Sequence, residues 1–86
     1  DVGSLNSLPE IWPPDEQGNV SLGEILSQDS RDNIVYSDSG LVTLIGVQDL
    51  IVIRAGRLIL VCPKDKAQEI KSLVAELTQQ GLEEFL

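Results

Sequence analysis

Leu41-Val42-Thr43-Leu44-Ile45-Gly46-Val47-Gln48-Asp49-Leu50-Ile51-Val52-Ile53 carries two aliphatic runs parted by a turn, and its reading decides the fold. β-Branched residues dominate both runs, as pleated and packed surfaces favour. Neither run alternates strictly with polar residues. Strands buried on both faces behave that way, as do strands whose second face is covered by a partner.

The pattern extends in both directions. Upstream stand Ile25-Leu26 and Ile34-Val35-Tyr36, with turn residues at Ser27 to Asn33 and Ser37 to Gly40. Downstream stands Leu58-Ile59-Leu60-Val61-Cys62. Ala55-Gly56 is spaced as a two-residue hairpin, since Gly56 can take the positive φ of a primed turn. Arg54 and Arg57 flank that tip and read as solvated ends. Short strands so closely spaced predict stacked β coils or a meander over residues 20–62, although no strict hexapeptide repeat is visible.

A helix follows at 65–80. Ala67, Ile70, Leu73, Val74 and Leu77 fall at three- and four-residue steps and share one face. Asp65 suits its N-cap or first turn, and Gly81 suits its stop. Residues Leu82 to Leu86 are expected to fray or to dock. At the other end, Ser7-Leu8-Pro9-Glu10 has capping-box spacing and predicts a short helical segment, ended by Pro13-Pro14. Asp15 to Asn19 reads as a polar turn or linker.

Composition narrows the chemistry. The 86 residues fit one small domain, with 42% hydrophobic and 23% charged residues. Net charge is −8 and no Lys/Arg cluster offsets it, which argues against a nucleic-acid partner. The chain has no apolar run of 18 or more residues, so it predicts no membrane span. Histidine is absent, which removes the commonest general base and metal ligand. Cys62 is the only cysteine, which excludes an internal disulfide and, without histidine, argues against a structural zinc site. Cys62 closes an aliphatic run and reads as core filling.

Asp29, Asp32 and Asp38 stand among serines and Asn33. Turn formation accounts for them, because Asp and Asn side chains bond their own backbone in turns. A calcium loop is the alternative, but its spacing and terminal Glu are missing. Asn19-Val20-Ser21 matches a glycosylation sequon and reads as chance. The residues by themselves therefore describe an α+β domain, mainly β, without a self-contained active site.

An ordered set of segments resembles the bacterial mannose-1-phosphate guanylyltransferases. Asp1-Val2-Gly3-Ser4 is similar to the Asp-Val-Gly-Ser-Trp segment late in that family's catalytic domain, with Leu5 where the family has Trp. Asp15-Glu16-Gln17-Gly18-Asn19 and Asp29 to Ser37 resemble the segments that follow. Ile45-Gly46-Val47-Gln48-Asp49-Leu50 resembles the family's Ile-Gly-Val-x-Asp-Leu, and Leu60 to Lys71 its last strand and helix start.

The resemblance implies a parent enzyme that joins GTP and mannose 1-phosphate into GDP-mannose and pyrophosphate with Mg²⁺. It implies that residues 1–17 end the nucleotidyltransferase domain and its linker, 18–63 form a domain resembling a left-handed β-helix, and 64–86 form a C-terminal helix and tail. Asp1 matches the family's metal-binding Asp, and Gly3 and Ser4 lie in the same substrate-side motif. Asp1 stands here without its partner carboxylate, so the fragment alone is expected neither to hold Mg²⁺ nor to catalyse. The expected role of the fragment is structural, in packing and in a homodimer, in the cytoplasm. Two other readings are an acidic β-structured interaction module and the tail of a sister nucleotidyltransferase with another sugar or base.

Overall fold

The computed structural model describes residues 13–86. The helical segment expected before Pro13 lies outside the described residues. Four strands follow: β1 (Val20–Gln28), β2 (Ile34–Ile45), β3 (Leu50–Ala55) and β4 (Leu58–Pro63). A 3-10 segment (Lys64–Glu69) leads into helix α1 (Ile70–Gln79), and a 3-10 turn (Glu83–Phe85) follows. The strands form one sheet in the order β1-β2-β3-β4. β1 and β2 are parallel, β2 and β3 are parallel, and β3 and β4 are antiparallel.

Parallel neighbours usually need a crossover of about a dozen residues or more. Here the links are only residues 29–33 and 46–49. The chain manages this by winding, so that each strand lies one coil beyond the last. Glu24 pairs with Leu41 and Ile34 with Ile51, both seventeen positions apart, whereas Val20 pairs with Ile34, fourteen apart. The three-residue difference sits at one bend, where Gly23 alone in the first coil matches Ser37 to Gly40 in the second.

Packing shows the bend directly. Val35 and Leu44 belong to the same strand but to one buried cluster, with Val52. In a straight strand nine positions would separate them by about 30 Å. Ile25, Val42, Val47 and Leu50 complete this cluster inside the coil. On the opposite face Ile34, Ile51 and Ile53 pack against Ala67 and Ile70, with Leu60, Cys62 and Val74 at the margin. β3 is thus covered on both sides, which is why its sequence lacks polar alternation. The fold is mainly β, with stacked coils and one C-terminal helix, as expected.

Several details differ from the sequence reading. Ile34–Tyr36 and Leu41–Ile45 are two arms of one strand, because the polar residues between them bend the strand without ending it. The hairpin turns on Gly56-Arg57, one residue later than expected, since Ala55 still pairs with Leu58. Gly56 does take a positive φ, 59°. The helical region starts as a 3-10 segment after Pro63, and its start has no side-chain cap, so Asp65 is a first-turn acid only.

The helix stop is as expected. Gly81 adopts φ 74°. Leu82 N–H donates to the Leu77 carbonyl at 2.8 Å and Gly81 N–H to that of Thr78 at 3.1 Å, the paired bonds of a Schellman turn.

Candidate functional site

Asp1, Gly3 and Ser4, the residues singled out for metal and substrate, lie outside the described residues, as does Trp12. Among the described residues, no three His, Cys, Asp or Glu side chains converge on a point that could hold a metal ion. No step through a cation is therefore derived from them. Nor is any helix among them long and apolar enough to cross a membrane. The described residues offer a polar corner, an ionic clamp and an aliphatic surface.

The polar corner is architectural. Asn19 and Asn33 occupy equivalent positions in successive coils and are 5% and 0% exposed. Asn19 donates its amide to the Ser30 carbonyl at 2.9 Å, and its Oδ1 accepts from the Asn33 backbone N–H at 3.0 Å. Asn33 Nδ2 donates to Asn19 Oδ1 at 3.0 Å and to the Val47 carbonyl at 3.2 Å. Asn33 Oδ1 accepts from the Leu50 N–H at 3.0 Å. Each Asn thus supplies the bonds that the turning backbone cannot make with itself.

Sequence reasoning missed this ladder. The signal was an Asn followed by a β-branched residue, at Asn19-Val20 and again at Asn33-Ile34. Burial of Asn19 also removes it as a glycosylation acceptor in the folded chain.

Asp29 and Asp32 make turns, as expected. Both adopt left-handed φ values, 50° and 58°, and Asp49 does the same at 57°. Short polar side chains tolerate that region better than most.

Asp38 lies within β2 and not in a turn between strands, contrary to expectation, and it acts as a clamp. Its Oδ2 accepts from the Gly56 N–H at 2.7 Å and its Oδ1 from Arg54 at 2.9 Å. The Gly56 bond, ahead of the Arg54 charge and against some desolvation, holds its carboxyl below the ordinary carboxylate range. Arg54 also donates to Ser39 Oγ at 2.8 Å. Arg54 is therefore a tie between the strand bend and the hairpin instead of a free end. Arg57 is engaged as well, 4.6 Å from the Phe85 ring centroid and 3.8 Å from Glu84.

The aliphatic surface is the most extensive feature that the architecture leaves unused. A groove of about 630 Å³ runs between the hairpin and α1, with Leu58, Leu60, Leu73, Leu77 and Leu86 along it. Ile59 and Val61 on β4 are 69% and 59% exposed. Leu41 and Ile45 on the far arm of β2 are 57% and 73% exposed. Cys62 is half-buried beside the helix-facing core, as expected of a space-filling thiol. Burial, then the Asp65 and Glu69 carboxylates, push that thiol's pKa up, away from a reactive thiolate.

Comparison with known proteins connects this geometry to a family. Residues 23–77 match the family described as the MannoseP isomerase/GMP-like beta-helix domain. A mannose-1-phosphate guanylyltransferase of Escherichia coli is 38% identical over 98% of this chain. An alginate biosynthesis protein AlgA of Pseudomonas putida is 36% identical over 94%. The chain spans only 18% and 17% of the lengths of those two relatives. A crystal structure from Thermus thermophilus, described as mannose-1-phosphate geranyltransferase, superposes with a TM-score of 0.78. It shares 34% identity, over 86% of this chain and 23% of that one.

Proposed function

This chain belongs to the MannoseP isomerase/GMP-like beta-helix domain family, and from that premise we propose that it is the structural and assembly part of a mannose-1-phosphate guanylyltransferase. The observation that carries the reading is the similarity to the Escherichia coli guanylyltransferase, which spans 98% of the chain. The parent would make GDP-mannose and pyrophosphate from GTP and mannose 1-phosphate, in the cytoplasm, as a homodimer. Asp1 would be a carboxylate ligand for the parent's Mg²⁺, with Gly3 and Ser4 beside the substrates. That ion would offset phosphate charge during in-line displacement. The coil would wind left-handed.

Residues 18–63 would act through their surface. Their buried Asn and Ser side chains bond the coil's own backbone, and their aspartates shape turns or clamp the hairpin. Large aliphatic side chains are left exposed on both arms of the sheet. Such exposed apolar area is typical of surfaces that meet another protein surface.

The test is an assay of two proteins with GTP, mannose 1-phosphate and Mg²⁺. The parent enzyme carrying this chain should form GDP-mannose, and the 86-residue chain alone should not. A parent that forms none under these conditions overturns the reading.

A further inference from the structure

The apolar face that receives the helical region continues past it onto β1. Val20, Ile34 and Ile51 stand in one row of paired residues, and Leu22, Tyr36 and Ile53 in another. Ile34, Ile51 and Ile53 belong to the cluster under Ala67 and Ile70. Partners in register share a face of the sheet. Val20 and Leu22 therefore extend the same face across β1, the outer strand. Leu22 is 38% exposed there, and Tyr36 is half-buried. Val20 is only 3% exposed, yet it belongs to neither buried cluster. A buried valine on an outer strand calls for a cover that those clusters do not supply.

The sequence just before the coil has the matching pattern. Ser7-Leu8-Pro9-Glu10 reads as the start of a helical segment that Pro13-Pro14 ends. In such a segment Leu8, Ile11 and Trp12 fall at three- and four-residue steps on one side, with Glu10 on the other. Leu8 to Trp12 in helical form would run about 7.5 Å. Val20 and Leu22 stand about 7 Å apart along their strand.

We propose that the segment 7–12 seats Leu8, Ile11 and Trp12 on Val20, Leu22 and Tyr36, and so closes the outer face of β1 and β2. The patch carries no charged side chain, and Glu10 stays in water. Seating fixes where the chain upstream of Ser7 leaves the coil.

The link to this face is short and held. Asp15 N–H donates to the Asn19 carbonyl at 2.9 Å, and Asp15 Oδ1 accepts from the Gln17 and Asn19 N–H groups at 2.9 Å each. The Asp32 N–H donates to the Gln17 carbonyl at 3.1 Å, which ties the loop to the second coil. Asp15 is thus fixed beside Asn19, the residue before Val20. Trp12 lies three residues from Asp15, at most about 11 Å of chain. The groove beside β4 is the other large apolar surface, but β4 lies three strand spacings from β1, about 14 Å.

The test reads the fluorescence of Trp12, the only tryptophan, in the 86-residue chain. A seated indole emits at shorter wavelength than the same residue in the urea-unfolded chain. Wild type should show that shift, unchanged on dilution. Leu22→Lys and Leu8→Lys should each return the emission to the unfolded wavelength, because seating would enclose the lysine. Leu26→Lys, on the other arm, and Leu73→Lys, in the helix groove, should leave it in place. Leu22, Leu26 and Leu73 are 38%, 57% and 40% exposed, and far-UV circular dichroism checks that each variant keeps its sheet. If Leu22→Lys loses the sheet, Leu8→Lys, which precedes the coil in sequence, decides alone. Wild-type emission at the unfolded wavelength overturns the proposal, as does a wild-type shift that survives Leu8→Lys. Emission that responds to Leu73→Lys and not to Leu22→Lys also overturns it and assigns the segment to the groove. A shift lost on dilution overturns it in favour of a second copy as the cover.

Discussion

Asn33 Nδ2 lies 3.0 Å from Asn19 Oδ1, a hydrogen bond between buried side chains of two successive coils. The same Asn33 amide reaches the Val47 carbonyl, and its Oδ1 takes the Leu50 N–H. One side chain thus links three consecutive turns of the coil.

Replacement of Asn33 by Ala should therefore leave the Leu50 N–H and the Val47 carbonyl without these partners in a dry site. The expected loss is about 2–4 kcal/mol of stability. Gln48→Ala is the contrast, since Gln48 is exposed and bonded only to Arg31, at 3.0 Å. Its effect should stay within about 0.5 kcal/mol. Urea unfolding of both variants checks the difference. Equal effects would show that the ladder contributes little.

Two glycines with positive φ should answer differently to alanine. Gly23 (φ 111°) sits against the Ser37 carbonyl oxygen, which an added Cβ would overlap. Gly46 (φ 64°) has open space there. Gly46→Ala should cost about 1–2 kcal/mol, the ordinary left-handed penalty. Gly23→Ala should cost more than about 3 kcal/mol, since backbone of the next coil must move. Thermal unfolding midpoints in the opposite order would contradict the close stacking at that bend.

Much of this was legible in the sequence, and the reasons are specific. Leu50 to Ile53 and Leu58 to Cys62 read as strands because β-branched and aliphatic residues crowd there, and the missing alternation of Leu50 to Ile53 correctly implied cover on both faces. The winding was not legible, because its repeat is interrupted. Gly23 does in one residue what Ser37 to Gly40 do in four, so the spacing changes from fourteen to seventeen. The ladder stayed hidden for the same reason, since Asn19 and Asn33 fall in line only when the coils are stacked. Arg54 looked like a free end because its partner Asp38 is sixteen positions away, joined to it by sheet pairing alone. For Asp1, Gly3 and Ser4, motif resemblance stands without a described geometry.

Acid should release the Asp38 clamp. Its carboxyl is held below the ordinary aspartate value, first by the Gly56 N–H and then by Arg54. A carboxylate with a lowered folded-state pKa adds stability above its unfolded value. That contribution is lost as pH falls through the folded value. Asp38→Asn should therefore lower the urea midpoint at neutral pH, and the gap to wild type should close as pH falls below about 4. A gap that widens on acidification would mean that the clamp does not couple to folding. The site is exposed, so a small neutral-pH gap is expected.

The helix gives the last comparison. Ala67, Ile70, Leu73, Val74 and Leu77 share a face by spacing, yet only Ala67 and Ile70 are buried, at 1% and 3%. The 3-10 start after Pro63 seats these first two against Ile34, Ile51 and Ile53, whereas Leu73 remains 40% exposed. Ile70→Ala should then cost about 2–5 kcal/mol, as large-to-small changes in a closed core do. Leu73→Ala should cost less than about 1 kcal/mol in the free chain. Urea midpoints measured at low protein concentration, where any dimer is dissociated, separate the two. A Leu73→Ala loss as large as that of Ile70→Ala would mean that the groove is closed in solution, with α1 seated along its whole length against β4.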